Sequence, residues 1–497
     1  MGGVVGLLVA LGGAIWWILT PPSPLPLPER GAVLEGVTLI EPGASRRAGM
    51  RLVIEGETLA RVEESGSPSG AFAGTFVLPG LTDVHVHFPP PSLPGQTELF
   101  SLLHLLHGVT TVRDAGDPDG MSTAPAIEGV EEGRFPGPRV FACGPFVDGD
   151  QPVWGNSLAA TTPEAGRAAV RTVAEQGFDC VKAYNGLDAP TLAAIRDEAR
   201  AQGLPVIGHV PVGVAYENAL LDDAQHLIGV APPLEDRAIV FPQVLQAWLL
   251  LDDARLDRII SVANEHGLTH TPTFVTVDRL LAQEDPAAAR RLADAQLLPR
   301  FYREVIWSAE EGISAARLME PGDYEMVRAA RGVQRRAVKR MYDAGVELHT
   351  GTDALVAFVV PGASLHRELR LLAGAGLTPE QVLELSTRTS AEFLSEDLGH
   401  LRVGAPAELA IFREDPTRDL AALDTLVAVV RGGRLYTRED LDNRLARYRE
   451  HHESALYDAL VIPIVRAVLA RTVPVSKPIS RVRSGWLARS GATATRS

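Results

Sequence analysis

Eight short apolar runs, each followed by a segment of helical pattern, recur between Val84 and Thr350 and leave few folds open to this chain. The runs are Val84–His87, Thr110–Asp114, Arg139–Cys143, Cys180–Tyr184, Pro205–His209, Asp223–Leu227, Thr269–Phe274 and Val346–Thr350. Strand and helix in regular alternation mark a parallel α/β architecture. Eight such strands suit a closed (β/α)8 TIM-like barrel. The helices carry start signals. Thr162-Pro163-Glu164 supplies an N-cap with proline at the first helical position, and Thr378-Pro379-Glu380-Gln381 is a capping box. The connection from Val275 to Gly345 is far longer than one helix, and amphipathic stretches within it, such as Tyr324 to Tyr342, are expected to form a lid or pocket wall.

The barrel is assigned to residues 79–401, and shorter β-like runs flank it on both sides. Ala32–Leu39, Arg51–Ile54 and Leu59–Glu63 precede it; Ala407–Phe412 and Leu426–Arg431 follow it. Residues 31–78 and 402–437 are therefore expected to pair as one small discontinuous β-sandwich domain. Ahead of them, Gly2 to Leu19 contains no charged side chain and includes Trp16-Trp17, an aromatic pair suited to a bilayer interface. Residues 1–20 thus read as a transmembrane anchor, or alternatively a signal segment. Residues 21–30 read as a stiff proline-rich linker that holds a periplasmic, membrane-anchored globular part off the bilayer. Residues 438–497 read as a helix followed by a basic tail. The tail is first a solvated extension and second a membrane-surface or homo-oligomer contact.

Charge narrows the partners. The 47 basic residues stand against 62 acidic ones, a net charge of −15, which argues against nucleic acid. The two cysteines, Cys143 and Cys180, sit in apolar strand-like surroundings and are expected to be buried thiols rather than a disulfide or metal pair.

Barrel chemistry sits at the C-terminal ends of the strands, and ligand-type side chains recur there. His85 and His87 share one face of the first strand by its two-residue period. Lys182 lies in the fourth strand, His209 ends the fifth, His226 lies in the sixth, and Asp353 follows the eighth. Each alone has an ordinary explanation, such as a core histidine, an ion-paired lysine or a helix cap. Six together point to divalent metal. A lysine ammonium is out of place among cations, but a lysine that has taken up carbon dioxide is an anionic carbamate able to bridge two ions. Tyr184, two residues after Lys182, faces the mouth and could meet a substrate carbonyl; a rim tyrosine is the plain alternative. Arg113 could meet a substrate carboxylate or simply pair with Asp114.

The sequence Leu-Pro-Gly-Leu-Thr-Asp before His-x-His resembles the amidohydrolase superfamily, as do Val-Lys-Ala-Tyr-Asn-Gly-Leu, Gly-His-Val-Pro, Gln-His-Leu and Gly-Thr-Asp-Ala. More narrowly, these motifs are similar to its imidazolonepropionase-like and prolidase-like branch, over roughly Gly31 to Asp440. The resemblance implies His85, His87 and Asp353 on one ion, His209 and His226 on a second, and carbamylated Lys182 between them. Zinc is the implied metal, with manganese or cobalt compatible. It further implies a metal-activated hydroxide with Asp353 as general base. Relatives without the lysine hold one metal. His270 and His349 stand where relatives often carry apolar residues, so they are extra pocket groups or packed core histidines.

The resulting expectation is a metal-dependent amidohydrolase acting on an amide or other C–N bond of a small-molecule substrate, with dipeptides and N-acyl amino acids as candidates. An esterase or lactonase on the same centre, and a non-catalytic binding protein on a barrel scaffold, are the alternatives.

Overall fold

The computed structural model describes residues 18–66, 69–232 and 243–472. Aliphatic runs buried on both faces build its centre. Leu81–Val86 and Val109–Asp114 are buried at every position, as strands wrapped by helices must be. They pair in parallel with each other and with Arg139–Ala142. The third strand breaks after Ala142 and resumes as Phe146–Asp148, which pairs with Val181–Ala183. Val206–Gly208, Asp223–Gln225 and Thr269–Thr271 follow in parallel order.

The eighth segment is not the regular strand expected over Val346–Thr350; it touches its neighbours through isolated bridges and single bonds. The His349 N–H donates to His270 O at 2.8 Å, and the Val84 N–H donates to Thr350 O at 2.9 Å. These bonds join the last strand back to the first in a TIM-barrel-like ring. Thr162 caps the helix Pro163–Glu175, accepting from the Ala165 N–H at 3.2 Å. Thr378 and Gln381 form the reciprocal capping box of Pro379–Glu384. The long connection before the eighth segment holds the helices Phe274–Ala282 and Pro321–Asp343.

Strands from both ends of the chain share one seven-stranded sheet. In spatial order these are Arg434–Thr437, Leu426–Arg431, Leu409–Phe412, Phe76–Pro79, Ala32–Glu41, Ser45–Glu55 and Thr58–Glu64. This is a single sheet rather than the two stacked sheets of a sandwich. Register shifts between Leu34, Val37 and Leu39 mark bulges, which bend a strand. Bonds outside the strand pairs tie its two halves together: the Gly31 N–H donates to Gly433 O at 2.9 Å, and the Leu59 N–H donates to Ala405 O at 2.9 Å. Leu34, Leu52, Val77, Leu409 and Val430 form its own apolar core.

Three expectations are corrected. Among the described residues no helix is long and apolar enough to cross a membrane; the membrane-anchored assignment is not upheld, and residues 1–17 of the expected anchor lie outside the described residues. The proline-rich segment is not a free spacer. Arg444 donates to Leu25 O (2.8 Å) and Pro26 O (2.6 Å), Arg447 donates to Ser23 O (3.1 Å), and Leu27 packs on the main core. This strap thus lies along the helix Arg438–His452. Finally, Cys143 and Cys180 are buried, but they are joined in a disulfide with Cα atoms 4.4 Å apart. One follows the third strand and the other precedes the fourth, so barrel order sets side by side two cysteines that lie 37 residues apart in sequence. The basic tail beyond residue 472 lies outside the described residues.

Candidate metal centre

His85 closes the first strand and His87 follows it, each ring turned toward the loop after the eighth segment. There, Asp353 Oδ1 lies 3.3 Å from His85 Nε2 and 3.2 Å from His87 Nε2, with Oδ2 3.9 Å from His226 Nε2. The Asp353 N–H donates to His85 O at 2.7 Å, pinning the carboxylate against the strand end. Both Asp353 (φ +64°) and His226 (φ +58°) hold left-handed backbone, a conformation costly for residues with a Cβ and concentrated at functional sites.

Contacts on the far side of the rings set their orientation. His87 Nδ1–H donates to Gly116 O at 2.7 Å and His209 Nδ1–H to Asn185 Oδ1 at 2.9 Å, while His226 Nδ1 lies 2.7 Å from the Thr273 hydroxyl. Where Nδ1 donates to an oxygen that can only accept, as in His87 and His209, Nε2 is the nitrogen turned to a cation, the arrangement metal-binding histidines adopt. One ligand atom from each of His85, His87 and Asp353 can be chosen so that all lie within 4.8 Å of one another. Imidazole and carboxylate donors at that spacing fit a divalent ion such as zinc.

Burial alone would raise the Asp353 carboxyl, but the imidazoles of His85 and His226 outweigh it and hold the group well below the usual carboxylate range. Burial would lower His87, yet hydrogen bonds with Asp114 and Asp353 carry it up to about 9. Burial, reinforced by Lys182, pushes His85 and His209 well down. Burial brings the Lys182 amine down to about 7. Its Nζ bonds to Gln225 Oε1, and it lines the same cavity as the four histidines and Asp353.

Tyr184 also lines this cavity, its ring 4.4 Å from that of His209 and its phenol pushed by burial up to about 12. Two residues offered as substrate contacts are placed elsewhere. Arg113 is 1% exposed beneath the site; it donates to Val84 O at 2.8 Å and to Asp223 Oδ2 at 2.5 Å, not to Asp114. His270 is fully buried, stacked on Tyr216 with its Nε2 2.7 Å from the phenol oxygen. His349 is likewise buried, against Phe393. Asn185, Thr273 and Gln225 orient the site, and sequence reading passed over them. Asn185 beside Tyr184 could have been found from its place in the strand-end motif; Thr273 carries no local signal.

The family model described as the amidohydrolase family matches residues 76–436. No curated protein matches the chain. Among solved structures it is similar to a bottromycin amidohydrolase, 24% identical with a TM-score of 0.66, covering 85% of this chain and 91% of that one. A Xaa-Pro dipeptidase with bound methionine is 18% identical (TM-score 0.60, covering 82% of this chain and 100% of that one). A prolidase complexed with N-methylphosphonate-L-proline is 21% identical (TM-score 0.61, covering 82% and 100%). At these identities the likeness carries the fold.

Proposed function

This chain belongs to the amidohydrolase family, and we propose that it is a hydrolase cleaving an amide or related C–N bond at a divalent-metal centre. The observation that carries the reading is the Asp353 carboxylate set against the Nε2 atoms of His85 and His87 at the wall of a large cavity. His85, His87 and Asp353 would hold one ion; His209 and His226 would hold a second, with Lys182 between them as its carbamate. Burial favours the uncharged amine of Lys182, the form that adds to carbon dioxide with loss of one proton.

Bound ions supply Lewis acidity, polarising the scissile carbonyl and making water nucleophilic near neutral pH. Asp353 receives the proton of the attacking water and delivers it to the departing nitrogen. Tyr184, kept protonated by burial, donates a hydrogen bond to the substrate carbonyl oxygen. Asn185 and Thr273 hold the rings of His209 and His226 in place.

Elemental analysis of protein purified with zinc and bicarbonate should find close to two ions per chain. Asp353→Asn should lower turnover of an amide panel by about a thousandfold or more while the melting temperature changes little. Full activity in that variant would remove the proton role, and turnover of esters and lactones but of no amide would assign the centre to C–O bonds.

A further inference from the structure

The metal-binding rim opens on a cavity of about 550 Å³, within the range of drug-sized ligands. Away from the rim its wall is apolar. Val212 and Val214 come from the loop after the fifth strand, Trp248 from the segment after residue 242, and Phe274, Val277 and Leu280 from the helix after the seventh. Ile313, Val356 and Trp154 line it while 43%, 36% and 42% exposed respectively, so apolar surface continues into its opening.

Charge is nearly absent. Besides the rim groups, the one charged side chain among the described residues lining the cavity is Arg255. Its guanidinium is committed to backbone, donating to Gly229 O at 2.7 Å, Val230 O at 2.9 Å and Ala231 O at 3.2 Å. Lys182 is held by Gln225, and Arg113 is buried beneath the site against Asp223, so among the described residues no side-chain cation of the wall is left for a carboxylate. Gln334 also lines the cavity, but it is 3% exposed and its side-chain oxygen is sealed from the open space.

Building on the hydrolase reading above, we infer that the substrate carries a bulky, uncharged, apolar acyl arm that fills this chamber. Small charged dipeptides match neither the size nor the lining. Each methylene of the arm that the wall removes from water adds to binding.

The test uses the zinc-loaded full-length chain and p-nitroanilides of acetic, hexanoic and decanoic acids, with the mono-p-nitroanilide of decanedioic acid as the arm that ends in a charge. The kcat/KM should rise about threefold per methylene from acetyl to decanoyl, and the charged arm should lose at least tenfold against decanoyl. Binding is read separately by quenching of tryptophan fluorescence, in which decanamide should bind at least tenfold more tightly than either acetamide or the monoamide of decanedioic acid. Equal rates for acetyl and decanoyl, or equal binding of decanamide and the charged monoamide, would overturn the assignment. Tight decanamide binding with no anilide cleaved would uphold the ligand class and sink the hydrolase reading instead.

Discussion

Replacing Arg113 with methionine separates a structural arginine from a substrate-binding one. Its guanidinium, 1% exposed, joins the Asp223 carboxylate, itself fully buried, to Val84 O next to His85. Burial works to raise the Asp223 carboxyl, and Arg113 outweighs it, so the folded pKa lies below the ordinary value. A carboxylate of this kind contributes stability above its unfolded pKa and loses it as pH falls through the folded one. Removing the arginine strands a buried charge, at a cost of about 3–5 kcal/mol. For a chain of 497 residues the unfolding entropy is roughly 1 kcal/mol/K, so calorimetry at pH 7 should show a melting temperature lower by about 3–5 °C. Without its partner Asp223 takes up a proton more readily, so the deficit should shrink as pH is lowered toward 5. Arg113→Met with Asp223→Leu should recover much of the loss. A deficit below 1 °C, or one that does not change with pH, would refute this reasoning. So would a melting temperature left unchanged while KM for a carboxylate-bearing substrate rises.

Two further perturbations test other parts of the fold. Cys143→Ala with Cys180→Ala opens a loop of 37 residues, and chain entropy puts the loss at about 4 kcal/mol, to be read as a lower urea midpoint; an unchanged midpoint, with and without reductant, would remove the bridge from the stability of the barrel. Glu368 accepts from the N–H groups of Phe274 (2.9 Å) and Val275 (2.6 Å), and burial raises its carboxyl to about 8. A raised pKa contributes stability below the unfolded value that is lost as pH climbs through about 8. Glu368→Gln should therefore flatten the stability profile between pH 5 and 8, and a profile of unaltered slope would show that Glu368 does not titrate there.

The alternation of strands and helices was legible because burial on both faces demands continuous aliphatic runs, and caps such as Thr162 and Thr378 act within one turn. The six ligand-type residues were legible because imidazole, carboxylate and amine at strand ends are expensive to place without a use, and the structure brings all six to one cavity. Arg113 and His270 were misplaced for a geometric reason. Period two gives the face of a strand but not the depth along the barrel axis, so a residue facing the interior reads the same below the site as at its rim. The cysteine pair was missed because adjacency across barrel strands is not encoded near either residue. The proline-rich strap was misread because its partners, Arg434 and Arg444, lie 406 and 419 positions away.

That separation sets an order of events during synthesis. Residues 23–28 leave the ribosome long before the helix Arg438–His452, whose arginines donate to their carbonyls. The seven-stranded sheet waits too, since Phe76–Pro79 needs Leu409–Phe412 beside it. A nascent chain halted after the eighth barrel segment would thus carry an open sheet edge and an unpartnered strap, a state in which neighbouring chains on one message could exchange strands.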